Sequence, residues 1–540
     1  MATIIAGAIG NCVHVAGVVQ FLRIAEELGY QTYFLGAAVP VEEFVAAIRR
    51  HNPDIVGVSF RLTPEVAERL LNELKDRMEK EQLGEKKFVF GGTPPVCQIA
   101  EQSGLFDRCF SGLENVNDVL LYLGGGSKDH KKEIIGDDLP GRLKAMHPYP
   151  LLRHHFGLSD LEITIKGVEE ISRSGILDII SLAPDQNAQE SMFRPQEMDP
   201  MLDGAGGVPV RSREDLVRIK AASQTGNRPL LRIYSGTRDL IPWAELGAET
   251  INNAWGAIPL CWYNALDGRS KRSPEEAICE NQKAMGWYGA RGIPLEVNEA
   301  HHWSLRDAHD TIAVVMAYLA AYNAKARGIK TYVAQYMFNS PPMITPAMDL
   351  AKMLAKIDLI ESLHDENFVS YRQVRAGLLH LSPRENVAKG QLAASTAFAL
   401  QIKPDIVHVV GYCEGDHAAT APDVIESCEI VHGVLKNCLG GQPDYLSDPA
   451  VIQRKNELLE EAQVLLHAIQ EMGDGKEDPF TSPRVLAQAI QLGVLDAPHL
   501  KGNPYAAGKV ETRCIGGALY AWDKKAGRII KETERLAQVI

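Results

Sequence analysis

Apolar and polar positions alternate along the chain in short blocks. Ile4-Ile5-Ala6-Gly7 is an apolar run, and Ala8-Ile9-Gly10-Asn11-Cys12-Val13-His14-Val15-Ala16-Gly17 carries the glycines of a turn. Val18-Val19-Gln20-Phe21-Leu22-Arg23-Ile24-Ala25 then has the spacing of an amphipathic helix. This predicts strand, loop and helix. The theme repeats, with strands expected over 31–36, 54–62 and 88–92, and a short one over 106–112. Helices are expected over 41–50, 64–81 and 116–123. The strand runs are apolar throughout rather than alternating, as in a parallel sheet covered on both faces. Residues 1–124 therefore read as a doubly wound α/β domain.

Gly124-Gly125-Gly126-Ser127-Lys128-Asp129-His130 breaks the pattern with a glycine-rich, then charged, stretch. It marks a linker taken as 125–150, a hinge suited to a domain that delivers a bulky group. From 151 to 540 the alternation resumes. Strands are expected over 179–183, 230–234, 250–255, 293–297, 331–335, 369–373 and 406–410. Helices are expected over 274–288, 307–327, 345–363, 386–401 and 421–435. Repeated βα units on this scale predict a (β/α)8, TIM-like barrel with a C-terminal extension, a large doubly wound sheet being the alternative.

Composition changes this picture little. The chain has 540 residues, 45% of them hydrophobic, a formal charge of −13 and nine cysteines, which suits a globular protein of several domains. The acidic balance argues against a broad nucleic-acid-binding face. The cysteines are scattered without a CxxC pair, as expected of reduced thiols. Met1-Ala2-Thr3 leads into the first strand without a basic leader, and no apolar stretch is long enough to cross a bilayer, so a cytoplasmic protein is expected. There is neither a GxGxxG fingerprint nor a phosphate-binding P-loop.

Candidate chemistry starts at the carboxyl edge of the first sheet, where such folds bind ligands. His14 lies in the first loop, Ser59 at the end of the third strand and Gly91-Gly92 at the end of the fourth. Gly17 could let the first helix approach closely. This layout resembles the cobalamin-binding domain of B12-dependent mutases and methionine synthases. The resemblance implies that His14 is the axial ligand of cobalt, that Ser59 contacts the displaced nucleotide tail, and that the glycines leave room for it. It implies a cofactor-binding set of Asn11, Cys12, Val13, His14, Val15, Gly17, Ser59, Phe60, Arg61, Gly91, Gly92 and Thr93. Cys12 stands where the family has an acidic residue that would orient the imidazole, and Ser59-Phe60-Arg61 departs from serine-x-leucine.

In the second domain, residues at or just after predicted strand ends include Asp185, Tyr234, Asn253, Asn298, Glu299, His301, Tyr336, Arg375 and Glu414. Two clusters, 295–303 and 409–417, gather carboxylates and imidazoles that could serve in acid–base or metal chemistry. Arg232-Ile233-Tyr234-Ser235-Gly236-Thr237-Arg238-Asp239, Tyr263-Asn264, Gly493-Val494-Leu495-Asp496-Ala497-Pro498 and the 503–509 segment resemble the catalytic subunit of glutamate mutase (methylaspartate mutase). The chain then resembles a fusion of that family's two subunits.

The resemblance implies an adenosylcobalamin-dependent carbon-skeleton isomerase, a radical mutase. Glu414 would hold the adenosyl ribose, Asn253 would contact the cofactor, and Glu299, Tyr234 and Arg232 would serve the substrate. The lysine that precedes the glutamate in the family motif is Val410 here. The family's three carboxylate-binding arginines fall at Tyr234, at Cys279 and within 185–189, none of them arginine. Arg232, Arg238 or Arg375 could replace them, but an altered small amino-acid or carboxylic-acid substrate is expected. The alternatives are a cobalamin-dependent methyl carrier or methyltransferase, and a non-catalytic cobalamin-binding protein. The expected partners are a small-molecule substrate and a second copy of the chain in a homodimer, with no nucleic acid and no membrane.

Overall fold

The apolar runs of the N-terminal region become one parallel sheet. In the computed structural model, which describes residues 2–83, 86–114, 116–124, 136–234 and 236–539, its strands are β1 (Thr3–Ile9), β2 (Gln31–Val39), β3 (Ile55–Phe60), β4 (Lys87–Gly92) and β5 (Arg108–Phe110). They alternate with α1 (Ala16–Glu27), α2 (Val41–His51), α3 (Pro64–Lys80), α4 (Pro94–Gln102) and α5 (Val116–Tyr122). The order β2-β1-β3-β4-β5 is doubly wound, with its switch point between β1 and β3. The sequence pattern did not predict α4. It starts on Pro94-Pro95, residues tolerated in a first helical turn because its N–H groups have no intrahelical partner.

The sheet's two faces are unequal. Val56, Val58, Phe60, Phe88 and Phe90 pack with Phe44, Leu71, Leu74 and Val96 in one core on the side of α2, α3 and α4. On the other face Ile4, Ile55 and Val89 pack against Val18, Leu22 and Leu123. Toward the carboxyl ends this second face carries only Ala6, Gly57, Ser59 and Gly91, paired in register. Side chains this small cannot fill the space beneath α1 and α5.

The chain divides into two compact units, residues 1–130 and 131–540. Of the expected linker, residues 125–135 lie outside the described residues. Residues within its second half form α6 (Leu139–Met146). Leu139 of that helix packs with the strand-start residues Leu151, Ile179, Leu230, Val333 and Ile406, so α6 plugs the amino end of a barrel. Arg142 fastens the plug, donating to Gly136 O and Arg228 O.

The barrel strands are β6 (Leu151–Phe156), β7 (Ile179–Leu182), β8 (Leu230–Ile233), β9 (Gly256–Ile258), β10 (Leu295–Val297), β11 (Thr331–Phe338), β12 (Val369–Ala376) and β13 (Ile406–Val409). The outer helices are α7 (Leu161–Ser174), α8 (Gln186–Ser191), α9 (Arg213–Ala222), α10 (Leu240–Ile251), α11 (Pro274–Ala290), α12 (Ala300–Ser304), α13 (Asp310–Ala326), α14 (Pro346–Glu361), α15 (Glu385–Ala399) and α16 (Ala421–Cys438). All ladders are parallel, in the order β8-β7-β6-β13-β12-β11-β10-β9. The ring nearly closes between β8 and β9, where Ala254 N donates to Leu231 O at 2.9 Å and Ile233 N to Asn253 Oδ1 at 3.0 Å. This is the (β/α)8 architecture expected, not the alternative open sheet.

Two expectations are corrected. The strand placed at 250–255 lies at β9, because α10 continues to Ile251 and Asn252 turns the chain in the left-handed region. β6 was not predicted at all, since its Leu151-Leu152-Arg153-His154-His155-Phe156 carries three basic or titratable residues. The C-terminal extension comprises α17 (Pro449–Glu471), α18 (Pro483–Leu492), the small antiparallel sheet β14 (Thr512–Ile515), β15 (Ala518–Asp523) and β16 (Arg528–Ile529), and α19 (Glu532–Leu536). It packs on α11, α13 and α14. Among the described residues no helix is long and apolar enough to cross a membrane.

Candidate functional sites

In the first unit the small-residue end of the sheet opens into a groove of about 440 Å³ between the sheet and α1 and α5. Ala6, Gly57, Ser59 and Gly91 form its floor, and Val18, Phe21 and Ile24 of α1 one wall, with Phe110 and Val119 also lining it. A Cβ added at Gly91 would have Ser59 Oγ, 4.0 Å away, as its nearest neighbour, and one at Gly17 would meet nothing within 4 Å. Gly17 therefore keeps space open rather than bringing helix and sheet together, contrary to the expectation. Gly57 and Gly92 differ, since a Cβ there would lie 2.7 Å from Ala6 Cβ and 2.8 Å from Phe60 O.

The β1–α1 loop stands at the same edge. Gly10 turns it with φ +71°, and Ala38 N donates to Cys12 O at 2.8 Å. Cys12 is fully buried and Val13 is 64% exposed. His14 is exposed and lines the groove, with its Nδ1 3.8 Å from Cys12 Sγ. Asn11 is exposed and Val15 half-buried where α1 begins. Ser59, Arg61, Gly91 and Gly92 also line the groove. Phe60 is corrected: alternation on β3 sends it to the opposite face, where it is buried in the α2–α4 core. Thr93 is the residue before α4, without a side-chain cap. Sequence reasoning missed the wall residues Phe21 and Ile24 and the loop residues Gly112 and Glu114. Glu114 accepts from Ser111 Oγ and Gly112 N, both at 2.9 Å. Although burial opposes the charge, these bonds pull its carboxyl down to about 2.

The barrel interior is layered by strand alternation. Above the apolar plug lie Arg153, Ser181, Arg232, Glu296 and Gln373. Arg153 Nη1 donates to Glu296 Oε2 at 3.1 Å and to Gln373 Oε1 at 2.6 Å, and Arg153 Nε to Ser181 Oγ at 2.7 Å. Arg232 Nη2 and Trp255 Nε1 reach Glu296 Oε2 at 3.2 and 2.8 Å. Burial alone would raise the Glu296 carboxyl, but the two guanidiniums hold it below its usual range. This layer contains two guanidiniums and one carboxylate.

Two residues further along these strands, His155, Ala183, Tyr234 and Arg375 line a cavity of about 450 Å³ at the barrel's carboxyl mouth, together with Met337 of β11. His154, Tyr263, Arg269, His301, His302, His408 and Glu414 also contribute to the lining. The Tyr234 hydroxyl lies 3.0 Å and Arg153 Nη2 3.4 Å from His155 Nε2. A guanidinium can only donate, so this Nε2 is the acceptor of a neutral imidazole. Burial, reinforced by Arg153 and Arg375, pushes His155 and His408 well below the usual histidine range. Burial is likewise the main cause that lowers His154 to about 4 and His301 to about 3. These imidazoles are neutral near pH 7. His154 Nε2, His302 Nε2 and His408 Nδ1 are buried without a hydrogen-bond partner.

The remaining expected residues separate into two groups. Tyr234 and Glu414 line the mouth, the latter in a single 3-10 turn, Tyr412–Gly415. Burial raises the Glu414 carboxyl and Arg375 opposes the rise. Arg232, Asn253 and Glu299 are instead committed internally. Arg232 is fully buried in the layer below, and Asn253 closes the β8–β9 seam. Glu299 Oε2 accepts from Leu260 N and Cys261 N, both at 2.9 Å, and Oε1 from Trp303 Nε1 at 2.8 Å. Burial nevertheless pushes its carboxyl up to about 7. Asp185 is gripped by both terminal nitrogens of Arg211, and Cys279 lies in α11. From the 409–417 cluster, ligand atoms of Cys413 and His417 lie within 4.8 Å of one another and of Asp423 in the first turn of α16. Asp423 already accepts from Thr420 N and Oγ1 as the capping box of α16.

Residues 2–121 match the family described as the B12 binding domain. The first unit contains a B12-binding domain. Three solved structures give the measure of wider similarity. A novel cobalamin-binding protein from Desulfitobacterium hafniense DCB-2 is 29% identical over 20% of this chain and 52% of its own, with a TM-score of 0.19. The methanol:cobalamin methyltransferase complex MtaBC from Methanosarcina barkeri is 20% identical over 24% and 48%, with a TM-score of 0.20. OxsB, a cobalamin-dependent S-adenosylmethionine radical enzyme, is 12% identical over 90% and 70%, with a TM-score of 0.22. The chain spans about half the length of the first two. Scores this low carry no functional argument.

The groove suits the cofactor of a B12-binding domain. Gly17 and Gly91 leave open the volume that a nucleotide tail would occupy, with Ser59 Oγ beside it. His14 can offer Nε2 to cobalt when its proton sits on Nδ1, facing Cys12 Sγ. A thiol is a weak partner for that proton, so it orients the imidazole less firmly than a carboxylate would.

Proposed function

We propose that this protein is an adenosylcobalamin-dependent carbon-skeleton isomerase, a radical mutase related to glutamate mutase with an altered small-acid substrate. The observation that carries the reading is the lining of the barrel mouth. It consists of neutral imidazoles, tyrosines, arginines and aliphatic groups, with Glu414 as its carboxylate and no cysteine. Such a cavity can bind and shield a substrate, and its imidazoles and carboxylate can hold or move protons, while hydrogen abstraction from an unactivated C–H bond is left to a cofactor.

Adenosylcobalamin, when bound, supplies a carbon-centred radical able to take a hydrogen atom from an unactivated C–H bond. The chain's own residues perform the remaining tasks. His14 would ligate the cobalt, while Ser59 and the groove would hold the nucleotide tail. Glu414 would hold the adenosyl ribose. The Tyr234–His155 pair presents a hydroxyl of fixed orientation to the substrate. Glu299 braces the loop at Leu260 and Cys261 and so positions neighbouring Tyr263.

The test is anaerobic incubation of the full chain with adenosylcobalamin and a panel of amino and carboxylic acids, following cobalt(II) by electron paramagnetic resonance and the products by mass and NMR. A substrate-dependent cobalt(II) signal with an isomeric product is expected, and L-glutamate should be a poor substrate. Methyl transfer from methylcobalamin, with no cobalt(II) formed from the adenosyl form, would replace this reading by the methyltransferase. Failure to bind either form would reject both.

A further inference from the structure

Arg375 is the cationic group in the barrel mouth that the protein itself leaves without an ion-pair partner among the described residues. It sits on β12, opposite Met337 of β11 and His408 of β13, one alternation step above the buried Gln373. Among the described residues no carboxylate lies within ion-pair distance of its guanidinium. Its Nε is buried without a hydrogen-bond partner. The other mouth arginine is already engaged: Arg269 Nε lies 3.6 Å from Asp267 Oδ2, and its guanidinium lies over the Tyr263 ring at 4.2 Å. Below Arg375, Arg153 and Arg232 share the single carboxylate of Glu296. The imidazoles around it are neutral and cannot serve as counter-ions, and the Glu414 carboxylate, which feels its charge, forms no ion pair with it. A half-buried guanidinium above an already cationic layer is costly unless an anion arrives to complete it.

We infer that Arg375 is the anchor for a single carboxylate of the substrate, and that the barrel mouth selects small monocarboxylic acids over dicarboxylic ones. A planar guanidinium matches a carboxylate through two parallel hydrogen bonds. One free guanidinium supplies one such clamp. The rest of the lining, with partnerless nitrogens on His302 and His408, suits an uncharged hydrogen-bonding group such as a hydroxyl on the same molecule rather than a second anion. The position also differs from those where the glutamate mutase resemblance places its arginines, which are Tyr234, Cys279 and 185–189 here. This rests on the reading of the barrel as the substrate-binding unit, but not on any radical step.

The experiment is therefore a binding measurement. 2-Hydroxybutyrate and 2-aminobutyrate, their carboxamides, glutarate and a short alkyl phosphate are titrated into the full chain, with and without hydroxocobalamin, by ligand-observed NMR. The acids should bind about 10- to 100-fold more tightly than their amides, the factor expected of a charge-assisted hydrogen bond. Arg375→Gln should erase that preference and Arg375→Lys should keep part of it. Both variants should retain the wild-type circular dichroism and the cobalamin absorbance spectrum. Equal binding of acid and amide by the wild type, a preference that survives Arg375→Gln, tighter binding of glutarate or the phosphate, or no binding of any acid would each overturn the inference. The acid–amide comparison in the wild type stands even if a variant fails to fold. A positive result without cobalt(II) formation in the mutase assay would leave this anchor intact and remove the radical reading.

Discussion

Gly91→Leu separates the groove's role in cofactor binding from its role in the fold. Gly91 lies at the end of β4 on the face toward α1 and α5, in ordinary extended conformation. A Cβ there has no neighbour closer than Ser59 Oγ at 4.0 Å. The added side chain must enter the groove of about 440 Å³, a size that small-ligand sites commonly have. Without ligand the change should alter stability by less than about 1 kcal/mol, because no packed atom is displaced. With cobalamin the leucine competes for the tail's volume. Overpacking of this kind costs about 1–3 kcal/mol, a loss of about 5- to 150-fold in affinity. Gly91→Ala should fall between leucine and wild type.

The assay is an absorbance titration of hydroxocobalamin and adenosylcobalamin into the full chain, with circular dichroism confirming the fold. Gly57 and Gly92 are unsuitable positions, since a Cβ at either collides with the sheet itself. A Gly91→Leu protein that keeps its circular dichroism and binds cobalamin as tightly as wild type would refute the assignment of the tail to this groove.

Two further outcomes are expected. His14→Ala should abolish the histidine nitrogen hyperfine pattern in the cobalt(II) spectrum of isotopically labelled protein while leaving the fold intact; an unchanged pattern would exclude His14 as ligand. The Glu299 carboxyl stands at about 7 in the native barrel against an ordinary value of 4.5, so its protonated form contributes stability that is full below the lower value and lost as the pH rises through the higher one. Glu299→Gln removes that dependence, so between about pH 5 and pH 8 the variant should gain on wild type by up to about 3 kcal/mol. Denaturant unfolding of both proteins at the two pH values measures this, and parallel pH dependences would refute it.

The first sheet was legible because its strands are covered on both faces and read as unbroken apolar runs. The groove's floor was legible too, since Ser59 and Gly91 fall at strand ends where larger residues would normally pack. Its walls were not: Phe21 and Ile24 occupy ordinary helix positions, and only the shortage of volume opposite them frees their surfaces. The barrel was harder for the opposite reason. A strand such as Leu151–Phe156 buries Arg153 and places His155 in the mouth, so its inward face looks polar and hides the alternation. β9 was misplaced because Gly256–Ile258 is only three residues long, and the apolar pattern of α10 runs almost into it. No local pattern announces that His155 meets His408 and Arg375, because β6, the first barrel strand, pairs with β13, the last, beside β12.

That closure also changes which residues can act. Arg232, Asn253 and Glu299 are the polar residues that sequence similarity would nominate first, yet each has its hydrogen-bonding capacity turned inward. Arg232 answers Glu296, Asn253 ties the open seam, and Glu299 gathers two backbone amides and an indole. Removing any of them leaves buried donors or acceptors exposed to one another, a disruption of about 1–3 kcal/mol for each group left unsatisfied. A loss of activity in such variants reports first on the shape of the barrel. Arg232 Nε and Nη1 also lack a partner but are sealed in the inner layer, whereas the groups that line the mouth stand one alternation step higher or at the rim: the Tyr234 hydroxyl, the guanidinium of Arg375 and the carboxyl of Glu414. Strand periodicity thus separates a layer that holds the barrel together from a layer that can meet a ligand. A variant series informs on function when it compares Arg232 with Tyr234, or Gln373 with Arg375, two residues apart on one strand and differing in which layer they serve.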